Sequence, residues 1–117
     1  MQVSLPSVEA YKRGLRQLER EGRIPDNHRN MLIIHYNAPE HTITATELAQ
    51  KVGYKRFSAV NLQYGTLGKK LREVMNWQGS GQESHIIASF YPDESGEWQW
   101  IMHQNLVQAL KELRWVR

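Results

Sequence analysis

The chain contains no cysteine. That absence excludes a disulfide scaffold, a thiolate zinc site and a thiol nucleophile together, and it fits a reducing cytoplasm. Long apolar runs are also missing. The longest, Met31 to Ile34, falls far short of the roughly 20 residues a membrane span requires. The N-terminal MQVSLPSVEAYKR lacks the apolar segment of a secretory signal. A cytoplasmic protein with no membrane partner is therefore expected. The histidines His28, His35, His41, His85 and His103 share no metal-ligand spacing, and the carboxylates do not pair on one element. No nucleophile elbow, Walker loop or nuclease-like acid cluster occurs. These absences argue against an enzyme and against any metal or cofactor, although folding can still bring distant residues together. His35, within an apolar stretch, reads as a core residue with satisfied hydrogen bonds.

A further absence is local. From Lys51 to Arg72 there are six Lys or Arg residues and no Asp or Glu. Formal net charge over the whole chain is only +3, because the acids gather at Glu19 and Glu21 and at Asp93, Glu94 and Glu97. A one-sided positive field attracts a polyanion. On charge alone, a solvated lysine-rich face with no partner is the equal alternative. The 117 residues fit one domain, large enough for a real core, and no repeat or low-complexity tract interrupts them.

Hydrophobic spacing predicts the elements. Ser7 can cap a first helix over residues 7–22 whose Val8, Tyr11, Leu15 and Leu18 follow helical spacing. Lys12, Arg13, Arg16 and Arg20 make its polar face a second basic cluster. Gly22 and Pro25 break the chain, and Asp26 is the expected N-cap of a second, central helix ending before Pro39. Thr44 and Glu47 form a T-x-x-E capping box. The helix they open buries Leu48 and Val52 and stops at Gly53, suited to the left-handed position after a helix. A longer helix starts near Phe57 or Ser58 with the core stripe Val60, Tyr64, Leu67, Leu71 and Val74. Residues 26–78 thus make a helical core containing a helix-turn-helix. Residues 83–102 read as a β-hairpin turning at PDESG, and residues 104–115 as a closing helix on Leu106, Leu110 and Leu113. The expected fold is α+β and mainly helical: a winged helix-turn-helix with extra N-terminal and C-terminal helices and one β-hairpin wing.

A basic second helix in a helix-turn-helix is the element that enters the DNA major groove, with its N-terminal residues at base edges. Lys55, Arg56, Ser58 and Asn61 occupy that end, where Asn pairs with adenine and Arg with guanine. Lys69, Lys70 and Arg72 lie further along and suit phosphates. Ser58, Leu62, Gly65, Thr66, Lys69 and Glu73 face away from the apolar stripe, with Asn61, Gly68 and Arg72 on one flank. Gly65 and Gly68 each cost about 1 kcal/mol against alanine in a helix, so they serve either close approach of a DNA backbone or close packing, including a bend. Leu62 suits a thymine methyl or packing on the first helix. Trp98 and Trp100 share a strand face and form either an aromatic platform for a base or a lid over the core. Trp77 and Trp115 read as core or cap residues.

The run HRNMLIIHYNAPEHTITATELAQKVGYKRFSAVNLQYGTLGKKL, with WQWIMHQNLVQALKELRWV near the end, resembles a bacterial winged helix-turn-helix module found beside HNH-type and modification-dependent restriction endonucleases. The resemblance spans residues 28–116, and TATELAQKVGYKRFSAVNLQYGTLGKKL is its most specific part. It implies a winged fold and a DNA-associated role in restriction, foreign-DNA defence or transcriptional regulation, with duplex DNA as partner. It supplies no established set of binding residues. The chain shows no nuclease domain, so cleavage would call for a separate nuclease or defence protein. The alternative is a protein-interaction module, such as a phage-borne inhibitor that binds a host defence nuclease.

Overall fold

The first helix, α1 (Val8–Arg20), begins where Ser7 stands in extended conformation and its hydroxyl accepts from the Ala10 amide at 3.1 Å. Tyr11, Leu15 and Leu18 are fully buried along one side. The computed structural model describes residues 4–79 and 81–116. Met1 to Val3, Ser80 and Arg117, which fall in the predicted N-terminal segment, the loop after the long helix and the C-terminus, lie outside the described residues.

The second helix, α2 (Asp26–Asn37), differs from expectation at its start. Pro25 occupies the cap position and Asp26 is already helical. Proline's fixed φ suits that extended residue, and Asp26 instead places its carboxylate in the first turn, where the helix dipole favours negative charge. A short strand, β1 (Thr42–Thr44), follows and was not signalled by three residues of sequence. The helix-turn-helix consists of α3 (Ala45–Val52), a turn over residues 53–56, and α4 (Phe57–Met75). Asn76, in the left-handed region at φ 50°, ends α4.

The predicted hairpin is shorter than residues 83–102. Glu83–Ile86 form a 3-10 turn, and only β2 (Ala88–Pro92) and β3 (Trp98–Met102) are strands. Ile86, Ile87 and Ala88 are buried at consecutive positions, which a half-exposed strand cannot do because its side chains alternate. The turn at Asp93 to Gly96 has a defined cause. The Asp93 carboxylate accepts from the amides of Ser95 and Glu97 at 2.8 and 2.9 Å, and Gly96 takes φ 87°. The chain closes with α5 (Gln104–Glu112).

The three strands form one antiparallel sheet in the order β1-β3-β2, with Ile43 opposite Trp100 and Trp100 opposite Phe90. The described chain is thus mixed α+β and mainly helical. The order α2-β1-α3-α4-β2-β3 with a central third strand is compatible with a winged-helix-like fold. One continuous core joins α1, α4, the sheet and α5, and His35 lies fully buried within it.

Candidate nucleic-acid interface

Two local devices fix the angle at which α4 is presented. At the start of α3 the Thr44 hydroxyl accepts from the Glu47 amide at 3.1 Å, with the Glu47 carboxylate 3.3 Å away. At its end Gly53 adopts φ 100°, and the amides of Gly53 and Tyr54 both donate to the Ala49 carbonyl, at 2.9 and 2.8 Å. Only glycine reaches that backbone region without penalty. A polar cluster then ties α2 to the helix-turn-helix. Asn27 donates to the Tyr54 hydroxyl at 2.8 Å and to Gln63 at 3.3 Å, while His28 Nε2 donates to the same Gln63 oxygen at 2.7 Å.

The apolar stripe of α4 faces inward as its spacing requires. Val60, Tyr64, Leu67 and Leu71 are fully buried, and Val74 is partly so. Their burial leaves Ser58, Asn61, Leu62, Thr66 and Lys69 exposed, with Gly65 half-exposed among them. Lys55 and Arg56 stand exposed at the head of the helix. Lys55, Arg56 and Lys69 form no ion pair among the described residues. Thr66 returns its hydroxyl proton to the Leu62 carbonyl at 3.0 Å, a common use of threonine inside helices. Leu62 does not pack on α1; it is 67 % exposed.

Lys70 and Arg72 are placed differently from the other predicted contacts. The Lys70 ammonium donates to the Arg23 carbonyl at 2.9 Å. Partial burial, then the nearby Arg23 charge, lower its pKa. Arg72 spreads its guanidinium over three carbonyls of the following loop, Gly79 at 2.8 Å, Gln82 at 2.7 Å and Glu83 at 3.3 Å. It also lies 4.7 Å above the Trp77 ring. A planar fork of five donors suits such a clamp. Both side chains are turned onto the protein, Lys70 toward the connection between α1 and α2 and Arg72 toward the loop after α4, so neither stands on the outer strip of α4.

The two helix glycines separate cleanly. A methyl group at Gly68 would lie 2.7 Å from the Glu83 carbonyl carbon, so this glycine lets the 3-10 turn cross α4. A methyl group at Gly65 would meet nothing within 4 Å. Packing explains Gly68 and does not explain Gly65.

The tryptophans also divide. Trp100 is buried and stacks on Tyr64 at 5.1 Å, with Phe90 edge-on at 5.4 Å. Trp98, on the same strand face but beyond the core, is 54 % exposed. It lines a cleft of about 1330 Å³ that takes in Phe57 and Asn61 of α4, the hairpin, and Trp77, Gln78 and Gln82 of the segment after α4. Phe57 stands outside the contact residues expected from the sequence. Its signal was available, since it precedes the first residue of the apolar stripe by three positions yet follows two cations directly. Trp77 is half-buried and donates its indole N–H to the Ser4 carbonyl at 2.8 Å. Trp115 is buried under the Arg29 guanidinium, 4.3 Å from its ring.

His35 belongs to the core. Its Nε2 lies 2.8 Å from the Trp100 carbonyl and its Nδ1 2.9 Å from the Tyr64 hydroxyl. A carbonyl can only accept, so Nε2 carries the proton and Nδ1 accepts from Tyr64. Burial pushes its pKa down to about 4. Among the described residues no group of three or more His, Asp or Glu side chains is arranged to hold a metal. No helix among them is long and apolar enough to cross a membrane.

Compared with known proteins, the chain matches no family model, no curated protein and no solved structure.

Proposed function

We propose that this chain is a non-enzymatic, cytoplasmic winged helix-turn-helix protein that binds duplex DNA with α4 in the major groove. The outer strip of α4 carries the reading: Ser58, Asn61, Gly65, Thr66 and Lys69 share one open face, headed by Lys55 and Arg56. An α-helix about 10–12 Å across fits a groove about 12 Å wide. Asn61 presents its amide to a base edge, and Arg56 reads guanine or holds a phosphate. Lys55 and Lys69 neutralise phosphates, which fixes register without reading sequence. Bare backbone at Gly65 lets the duplex approach. Lys70 and Arg72 act indirectly, by holding the segments on either side of α4 in place. The hairpin lies along the DNA backbone as a wing. The resemblance to modules beside restriction endonucleases links this binding to restriction, foreign-DNA defence or transcriptional regulation, with a separate nuclease or defence protein as a further partner.

The competing reading is a protein-interaction module, such as a phage-borne inhibitor of a host defence nuclease. Exposed aromatic side chains near the hairpin favour it. Duplex binding at about 50 mM and about 200 mM salt separates the two. Wild-type affinity should fall steeply with salt, and Lys55→Ala/Arg56→Ala/Lys69→Ala should flatten the log–log slope by about 2 to 3, near 0.9 for each phosphate left unneutralised. A salt-insensitive complex, or a slope unmoved by the triple change, defeats the DNA reading. Recovery of a nuclease without nucleic acid from host extract supports the competing one.

A further inference from the structure

Single exposed apolar side chains are ordinary on a protein surface, whereas their convergence marks a binding site. Among the described residues, five large apolar side chains stand open to solvent: Leu5, Phe57, Leu62, Tyr91 and Trp98. Phe57, Tyr91 and Trp98 line the cleft beside the hairpin, while Leu5 lines it at the far end, next to the Ser4 carbonyl that Trp77 bonds. At the inner end, Trp100 is locked between Tyr64 and Phe90. At the outer end, Phe57 and Trp98 are more than half exposed, and among the described residues neither stacks on another ring.

The polar groups of the cleft narrow what it receives. Among its described lining residues there is no lysine or arginine and Glu97 is the one carboxylate; of its two histidines, His103 donates to the His85 carbonyl at 2.6 Å and the His85 ring packs on Phe90. A phosphate is therefore not what the interior receives. At the Phe57 end Asn61 instead offers an amide donor and acceptor, the pairing chemistry of a heterocycle edge. Cations come just outside: Lys55 and Arg56 directly precede Phe57 and form no ion pair among the described residues. An aromatic interior, an amide edge and a cationic rim match a nucleotide with its base inside and its phosphate outside. A fully paired duplex keeps its bases stacked on one another and cannot fill such a cleft.

We propose that the cleft receives an unpaired nucleobase, stacked against Phe57 and Trp98 and hydrogen-bonded by Asn61, while the adjoining backbone runs past Lys55 and Arg56. The inference rests on α4 being a nucleic-acid-binding helix. It deepens that reading by making DNA with an unpaired base the preferred ligand over a perfect duplex. A stacked base is worth roughly 5- to 150-fold in affinity.

The test uses fluorescence titration of the full chain against three short probes: a paired duplex, the same duplex with one bulged thymidine, and a single strand. Wild type should bind the bulged duplex at least about 5-fold tighter than the paired duplex, and the single strand, which lacks the groove that α4 enters, more weakly than the bulged duplex. Trp98→Ala and Phe57→Ala should each erase that preference while leaving paired-duplex affinity within about 2-fold, and Lys55→Ala/Arg56→Ala should weaken all three probes. Trp98→Phe retains a stacking ring and should keep most of the preference, which guards against a folding defect in the alanine variant. Equal affinity for bulged and paired duplex overturns the proposal and leaves the DNA reading standing. So does a Trp98→Ala variant that is folded and keeps the preference. Failure to bind any probe at about 50 mM salt overturns both, as does an aromatic-dependent protein partner found with no nucleic-acid binding.

Discussion

His35 makes the stability of the fold depend on pH. Its neutral form is held between the Trp100 carbonyl and the Tyr64 hydroxyl, and its folded pKa is about 4 against an unfolded 6.5. Below pH 6.5 the unfolded chain therefore binds a proton that the folded chain refuses, so acid favours unfolding. The contribution is fully present above pH 6.5, erodes as pH falls, and is lost near pH 4. A shift of that size is worth about 3 kcal/mol. His28 and His103, lowered chiefly by burial, act with the same sign. Urea midpoints measured from pH 7 to pH 4.5 should fall steadily. His35→Phe should lower the midpoint at pH 7, because the Trp100 carbonyl loses its bond from the ring and the Tyr64 hydroxyl is left with only the Met31 carbonyl at 3.4 Å, and flatten its pH dependence. The two glycines of α4 give a second prediction. Gly68→Ala forces a methyl group into the Glu83 backbone and should destabilise by about 1–3 kcal/mol. Gly65→Ala meets open space and should stabilise by about 0.5–1 kcal/mol through helix propensity. If Gly65 instead serves DNA approach, the same substitution weakens duplex binding while raising the urea midpoint, a combination that packing alone does not produce.

Among the elements, the segment joining α4 to β2 depends on one side chain. Arg72 donates to carbonyls at Gly79, Gln82 and Glu83 and covers Trp77, while Trp77 reaches back to Ser4. Arg72→Ala should cost about 2–3 kcal/mol, the scale of charged hydrogen bonds left unmade. Proteolytic cleavage should then concentrate within residues 78–82. Arg72→Lys should recover little, since a point charge cannot replace a planar fork. This role was not legible in the sequence, which placed Arg72 only on a flank of α4. Helical periodicity fixes angles on one helix and is silent about what crosses that helix from far along the chain. What could be read was local: the Ser7 cap, the Thr44 cap, Gly53 in the left-handed region and the buried stripe of α4. β1 escaped because three residues carry too little alternation to signal a strand. The 3-10 turn at Glu83–Ile86 escaped because its conformation is set by Gly68 and Arg72, fifteen and eleven residues before Glu83.

At the scale of the whole molecule, positive charge is arranged in two places. One is the head of α4. The other is α1, where Arg13, Arg16 and Arg20 follow helical spacing, stand exposed and form no ion pair among the described residues. Other basic residues nearby, Lys12, Arg23 and Arg29, are paired with carboxylates. The three arginines border a groove of about 420 Å³ together with Val74 and Met75, at the far end of α4. From Asn61 to Val74 the helix rises about 20 Å, more than twice the screening length of about 8 Å at physiological salt. A short duplex docked at the head of α4 should therefore not feel the α1 charges there. At about 0.01 M salt the screening length grows to about 30 Å, and the same charges then add to the attracting field. Arg13→Ala/Arg16→Ala/Arg20→Ala should accordingly leave the Kd for a duplex of about one helical turn unchanged at 0.15 M salt, within about 2-fold, and slow association only at low salt. Lys55→Ala/Arg56→Ala should weaken binding under both conditions. Stopped-flow rates and equilibrium titrations at the two salt concentrations distinguish the cases. A loss greater than about 3-fold at physiological salt from the α1 variant would mean that the DNA runs the length of α4, and docking by the head of the helix alone would have to be abandoned.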